Sequence, residues 1–395
     1  MEEKASNYVT VLLENGRKIT AGAADIPAEY SGIGKEAEVK RHIDVKLYHL
    51  LEEETGNSLS WGILTGVRPT KIAMKKLDEG MDETAFVSWF HEIYMVSNEK
   101  ASLAWEIAGR EKQLLERLDY DNGYSLYVGI PFCPTVCSYC SFSSGALADW
   151  ESRVEDYLDA LCKELKFIAQ KSSLKKLNTI YIGGGTPTTL TAGQLERLLC
   201  CIDENFSREH LLEYTVEAGR PDSITREKLE AIRSHGVTRI SINPQSMQQK
   251  TLDAIGRRHS VEQIITAYGM ARELGFDNIN MDIIAGLPGE RDLHDMEDTL
   301  RQIGRLMPDS LTVHSLAIKR AARMDMEDLK REDGKTNEVM SGMIRSAERM
   351  ARQMGLAPYY LYRQKNIAGN FEMLAMQRLT KREYTIYLLW RKSNP

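Results

Sequence analysis

The sequence predicts an α/β protein, an open, partial (β/α)6 barrel preceded by a smaller N-terminal α+β domain. Three observations lead there. From Tyr124 onward, short apolar runs alternate with longer amphipathic stretches, the pattern of βα units around a parallel sheet. Six such units can be read, fewer than the eight of a closed barrel. Residues 1 to about 120 lack the alternation, and 395 residues leave room for two to three domains. The expected boundaries are 1–120 for the accessory domain, 121–330 for the core, 331–372 for the start of a C-terminal region and 373–395 for a tail of different character.

In chain order, Val9–Leu13 suits a strand. Lys40–Glu53 suits a helix, with Ile43, Leu47, Leu50 and Leu51 along one face. In the distinctive segment Ser60-Trp-Gly-Ile-Leu-Thr-Gly-Val-Arg-Pro-Thr70, Thr70 is placed to cap a helix starting at Lys71. Glu99–Leu118 reads as one helix. Strands follow at 125–130, 178–183, 213–217, 238–243, 278–284 and 310–316. The intervening helices fall near 150–170, 191–205, 223–235, 246–274 and 291–306, with another near 335–354.

Bulk properties narrow the function classes. With 42% hydrophobic and 27% charged residues the chain reads as an ordinary soluble globular protein. It has no apolar run of about 18 residues, so no membrane span is expected, and Met1-Glu-Glu-Lys4 does not open a signal peptide. A net charge of −6 speaks against a nucleic-acid surface. Of six cysteines, three fall within eight residues, which does not suit a disulfide framework and fits a reducing cytoplasm. Cys162, Cys200 and Cys201, in helical stretches, read as small buried hydrophobes.

The chemistry gathers at the ends of the strands, where barrels carry their sites. After the first strand come Cys133, Cys137 and Cys140, spaced C-x3-C-x2-C. Iron–sulfur clusters usually take four cysteines. Three can hold three corners of a four-iron cubane and leave one iron open to substrate or cofactor. A structural zinc site would want four ligands, usually from two separated pairs. The second strand runs into Gly183-Gly-Gly-Thr-Pro187, either a simple turn or a place for close ligand approach. Glu217 ends the third strand as a surface charge or as an acceptor for hydroxyl or ammonium groups. Gln245 follows the fourth, and Gly256-Arg-Arg-His259 is either a solvated basic turn or part of the site. Asp282 in the fifth strand points inward if the alternation holds, and there it needs a partner.

C-x3-C-x2-C preceded by Tyr127-Val-Gly-Ile-Pro-Phe132 resembles the radical S-adenosylmethionine (SAM) superfamily, in particular its oxygen-independent coproporphyrinogen III oxidase (coproporphyrinogen dehydrogenase) group. The Trp61–Thr70 segment is similar to one that marks the HemZ-type branch. The resemblance implies a 4Fe-4S cluster on Cys133, Cys137 and Cys140, with SAM chelating the open iron and cleaved by a cluster electron to a 5′-deoxyadenosyl radical. It places Tyr127 and Tyr139 beside the cluster. Gly184, Gly185 and Thr186 would meet the methionine amino group. Glu217, Gln245, Arg257 and Asp282 would hold SAM, with a backbone contact from Ala317. The implied reaction is oxidative decarboxylation of two propionates of coproporphyrinogen III, giving protoporphyrinogen IX in the cytoplasm. The implied electron donor is of the flavodoxin or ferredoxin kind. Arg220, Arg258 and Arg320 are candidate partners for the substrate carboxylates.

Two departures bear on the reading. Ala218-Gly-Arg-Pro221 stands where the family more often has Asp/Asn-Pro. Phe142 stands where some oxidases carry a fourth cysteine, as it does in the haem-chaperone branch, which binds haem instead of oxidising porphyrinogen. The alternatives are therefore such a chaperone or another radical SAM enzyme such as a methyltransferase.

From Met373 the chain turns basic, with five Lys or Arg against Glu383 alone. Asn366-Ile-Ala-Gly-Asn-Phe-Glu372 resembles a family motif that continues Asn-Val-Gly-Tyr-Ala-Lys. Back-translation from Glu372 as GAA ATG TTG GCT ATG CAA AGG yields that continuation once one A is restored. The expectation is a tail read out of frame, with no functional role for Tyr384 or Trp390.

Overall fold

A computed structural model describes residues 8–12, 16–22, 36–116, 118–119, 122–290, 292–317, 322–324, 337–363, 371–381 and 384–385. The chain divides into two compact units, Met1–Ala108 and Gly109–Pro395.

The first unit opens with a hairpin of β1 (Tyr8–Leu12) and β2 (Lys18–Gly22), antiparallel with Thr10 opposite Thr20. The second strand was not expected from the sequence. Four helices follow: α1 (Glu36–Thr55), α2 (Pro69–Asp78), α3 (Glu83–Tyr94) and α4 (Asn98–Leu115), which begins in this unit. Helix α3 is also additional; Asp82 starts it by accepting the Ala85 N–H at 2.8 Å. Its Phe86 meets Phe90 and Trp105, with ring centroids 4.9 and 5.0 Å apart.

The Trp61–Thr70 segment is built into this core. Trp61 is fully buried, and Gly62 sits at φ +50°, where an added Cβ would come within 2.1 Å of the Tyr94 carbonyl oxygen. Thr70 does not cap α2. The cap position is Arg68, Pro69 takes the first turn that suits its fixed φ, and Thr70 is buried inside the helix.

The second unit holds the six expected strands: β3 (Gly123–Ile130), β4 (Lys176–Gly184), β5 (Glu213–Gly219), β6 (Arg239–Ile242), β7 (Ile279–Ala285) and β8 (Ser310–Ser315). Each lies beside its predecessor and parallel to it, and among the described residues no pairing closes the sheet into a ring. The expected partial α/β barrel is thus what forms. Its outer helices are α5 (Val154–Lys171), α6 (Ala192–Asn205), α7 (Arg226–Ser234), α8 (Gln249–Ala254), α9 (Val261–Glu273) and α10 (Leu293–Leu306). Apolar stripes such as Leu158, Leu161 and Leu165 of α5 are buried, against strands whose residues are buried along nearly their whole length.

The single helix expected over 246–274 is two. Gly256 turns the chain at φ +76°, and Ser260 restarts it with a capping box to Gln263.

Beyond the barrel, α11 (Asn337–Gln353) leads to two strands not read from the sequence, β9 (Leu356–Arg363) and β10 (Glu372–Arg378). Strand β10 pairs antiparallel with both β8 and β9. In the tail, Tyr384 and Thr385 are buried and donate to the Glu213 carboxylate; Trp390 and the stretch 366–370 lie outside the described residues. Of the three remaining cysteines only Cys201 is buried. Cys162 and Cys200 are partly exposed, contrary to the expected burial, because they stand outside the buried stripes Val154, Leu158, Leu161 and Leu165 and Leu195, Leu198, Leu199, Cys201 and Ile202 of their helices.

Candidate functional site

Strand β3 ends at Ile130, and its continuation folds into a loop that presents the three cysteines. The loop is pinned from several sides. Gly145 N–H donates to the Pro131 carbonyl at 2.9 Å, closing its base. Ser138 N–H donates to Ile255, and the Ser138 carbonyl accepts from Arg323 and Met324 at 3.0 Å each. The Thr135 hydroxyl donates to the Gly256 carbonyl at 3.2 Å. Cys137 is buried, while Cys133 and Cys140 are partly open.

The glycine-rich exit of β4 lies against this loop. Gly184 takes φ +106°, Gly185 N–H donates to the Ile130 carbonyl and Thr186 N–H to the Phe132 carbonyl, both at 2.7 Å. The Thr186 hydroxyl lies 3.5 Å from the Cys133 sulfur. A Cβ on Gly185 would fall 2.6 Å from the Phe132 oxygen and 2.8 Å from the Ile130 oxygen, both backbone. Gly185→Ala is therefore expected to cost about 1–3 kcal/mol through overpacking and to displace the cysteine loop, seen as a lower denaturation midpoint together with reduced iron retention.

One cavity of about 370 Å³ gathers nearly every residue the sequence singled out: Cys133, Cys137, Cys140, Tyr139, Gly184, Gly185, Thr186, Glu217, Gln245, Arg257, Asp282 and Ala317. Tyr127 is not in its lining. It stands one step back, stacked on Tyr181 at 5.8 Å. Tyr181 does line the cavity and donates a short hydrogen bond to Glu217.

Two carboxylates in the wall are pushed in opposite directions. Burial drives Glu217 up to about 7, Asp282 adds to the rise, and the Tyr181 hydroxyl and Gly184 N–H oppose it. For Asp282 burial also acts upward, but His314, Asn280 and Thr312 outweigh it and hold the group below the usual carboxylate range. Asn280 donates to it at 2.7 Å, and His314 Nε2 is 3.9 Å away. Glu217 is thus the more readily protonated of the two carboxyls and Asp282 the more firmly ionised.

Gln245 sits at φ +67°, its N–H donating to the Asp282 carbonyl and its own carbonyl accepting from Ile284, each at 2.9 Å. This bridge aims its side chain into the cavity, where the buried Oε1 has no partner among the described residues. Arg257, also buried, donates to the Asn243 carbonyl at 2.5 Å, and its Nε has no partner among the described residues. Burial opposes its charge, but Tyr139 and Cys137 raise its pKa.

The candidate arginines for the substrate carboxylates fare differently. Arg220 is not free: its guanidinium grips both oxygens of Asp222 at 3.0 and 2.6 Å and donates to the Thr135 carbonyl and hydroxyl at 2.8 Å each. Arg258 lies outside this cavity, in a separate depression beside Asp149 and Asp253. Arg320 is outside the described residues. The sequence reading missed Tyr181, Asn280, Thr312 and His314. Strand alternation held the signal, since Tyr181 shares the face of Gly183, and Asn280 and Thr312 that of Asp282 and His314.

The donor set tests whether a cluster fits. Among the described residues, the three loop cysteines are not a group whose donor atoms all lie within 4.8 Å, as sharing a single ion would need. Three sulfurs spread around one cavity suit the wider corners of a cubane. The unpaired Gln245 Oε1 and Arg257 Nε, with the two carboxylates, suit a zwitterionic, hydroxyl-bearing ligand beside it.

The Radical SAM superfamily pattern matches residues 127–303. The chain belongs to this superfamily, whose cofactors are a 4Fe-4S cluster and SAM. It is 43% identical over 344 residues to the oxygen-independent coproporphyrinogen-III oxidase-like protein HemZ of Bacillus subtilis, an alignment covering 86% of this chain and 68% of HemZ. The heme chaperone HemW of the same organism is 36% identical over 196 residues, 49% of this chain and 51% of HemW. The structure of coproporphyrinogen III oxidase (HemN) from Escherichia coli, described as a radical SAM enzyme, matches with a TM-score of 0.56 at 26% identity. That match covers 70% of this chain and 59% of the other.

Proposed function

We propose that the protein is a radical SAM oxidase that decarboxylates coproporphyrinogen III to protoporphyrinogen IX in the cytoplasm, drawing electrons from a flavodoxin- or ferredoxin-type donor. The observation that carries this reading is the cavity itself, which sets three cysteines opposite unpaired polar groups, taken with the HemZ relationship over most of the chain. Cys133, Cys137 and Cys140 would hold the cluster, and Gly184, Gly185, Thr186, Glu217, Gln245, Arg257 and Asp282 would bind SAM. When bound, the pair supplies a one-electron cleavage of SAM and a carbon radical that takes a hydrogen atom from the substrate.

The chain's own residues position and exclude. The flat glycine exit lets a ligand approach the backbone. Gln245 and Arg257 offer an acceptor and a cation to an amino acid end. The Asp282 and Glu217 carboxyls accept from ammonium or hydroxyl groups. Each propionate loses a hydrogen atom from its β-carbon and then carbon dioxide, with the remaining electron passing to an acceptor. The net change per propionate is one proton and two electrons removed, leaving a vinyl group.

A second reading, haem binding without oxidation, is favoured by Phe142, which lines the cavity rim and is 72% exposed, and by the HemW relationship. Anaerobically reconstituted protein given reductant, SAM and coproporphyrinogen III is expected to form 5′-deoxyadenosine and protoporphyrinogen IX. Stoichiometric haem binding with no porphyrinogen turnover would instead assign the chaperone role. SAM cleavage with neither outcome would point to another reaction.

A further inference from the structure

Away from the cavity, helix α6 carries Glu196, Cys200 and Asp203 at i, i+4 and i+7, the spacing of one helix face. Against that face stands His235, immediately after α7. None of the four lines the cavity. Among the described residues, Glu196, Cys200 and His235 form the one group whose three donor atoms all lie within 4.8 Å of one another. His235 Nε2 is 3.0 Å from Glu196 Oε1 and 4.0 Å from the Cys200 sulfur, which is itself 3.8 Å from Glu196 Oε1.

The imidazole is oriented from behind. Its Nδ1 is 2.6 Å from Asp203 Oδ2, and the other Asp203 oxygen is paired with Arg208. The His235 side chain is 10% exposed, whereas Glu196 is 50% exposed, so the group opens to solvent on one side. A carboxylate fixing Nδ1 so that Nε2 faces a thiol and a second carboxylate is the arrangement that metal-ligating histidines use.

We propose that Glu196, Cys200 and His235 form a zinc site, with Asp203 as the positioning residue and water completing four-coordination. Thiolate, imidazole and carboxylate together favour zinc over the hard cations, which prefer oxygen ligands alone. The ion would tie α6 to the end of α7 on the outside of the barrel. The site is independent of the cluster reading, because its residues and the cavity's do not overlap.

The test uses anaerobically reconstituted protein, in which iron occupies the three loop cysteines that would otherwise take up zinc. Added zinc followed by desalting is expected to leave about one zinc per chain beside the iron, with a raised Tm. Cys200→Ala and His235→Ala should each lose the zinc and the Tm shift while keeping the wild-type iron content, which also reports that they fold. Asp203→Asn should weaken zinc binding by roughly 10–100-fold. Wild-type protein without retained zinc would overturn the proposal, as would zinc that persists in both variants. Zinc that disappears only when Cys133 is replaced would overturn it too.

Discussion

Arg220→Ala is expected to destabilise the second unit by about 1–3 kcal/mol, because it takes the hydrogen-bonding fork from a half-buried carboxylate and leaves it only His259. The Arg220 side chain is 3% exposed and that of Asp222 17%. Burial alone would raise the Asp222 pKa, but His259 and Arg220 outweigh it and hold the group well below the usual carboxylate range. The same guanidinium grips the Thr135 backbone, midway between Cys133 and Cys137. Loss of stability should therefore come with loss of grip on the cluster, with iron released to a chelator on the order of 10–100-fold more readily.

Two further variants separate charge from packing. Arg220→Lys keeps the charge but not the fork geometry, so it should recover only part of the loss. Asp222→Ala combined with Arg220→Ala should cost less than the sum of the single changes, as the carboxylate left short of partners is then gone. Additive costs in denaturant titrations of the four proteins would show that the pair is not coupled. Unchanged iron release would show that Arg220 does not brace the loop.

Arg220 also marks where sequence reading stopped. A cationic side chain after a strand suits a substrate carboxylate as well as it suits a buried brace, and only the distance to Thr135, some 85 positions away in the chain, decides between them. The barrel itself was legible because its strands are short apolar runs, most of them buried along nearly their whole length, that alternate with longer amphipathic stretches. The split of the long helix is not legible when Gly256-Arg-Arg-His259 is taken for its charge, because what breaks the helix is the positive φ of Gly256 and the cap at Ser260. Strands β9 and β10 were missed because Pro358 and the basic residues of the tail hid their apolar character.

Among the residues that line the cavity, the cysteines were legible from spacing, and Gly184 and Gly185 only through the family resemblance. Asp282 was legible from alternation, but its partner His314 comes from the neighbouring strand and could not be paired without the register that sets Thr312 beside Asp282.

Glu217 gives a test of the cavity wall that needs neither cluster nor SAM. Its ordinary pKa of 4.5 is raised to about 7 by burial, so the folded protein holds that proton more tightly than the unfolded chain. For a group shifted in this direction, the stabilisation is complete below about pH 4.5 and is lost as pH rises through 7. The swing is about 3 kcal/mol. Glu217→Gln keeps an acceptor for the Tyr181 hydroxyl but cannot ionise. In cluster-free protein the variant should therefore gain on wild type by about 3 kcal/mol between pH 4.5 and pH 8, read from urea midpoints at each pH. Comparing the pair at each pH cancels the titration of every other group that the substitution leaves alone. A stability difference that stays flat over that range would mean that Glu217 is solvated like a surface carboxylate, and the cavity would then lack the low-polarity wall that strengthens its contacts with a bound ligand.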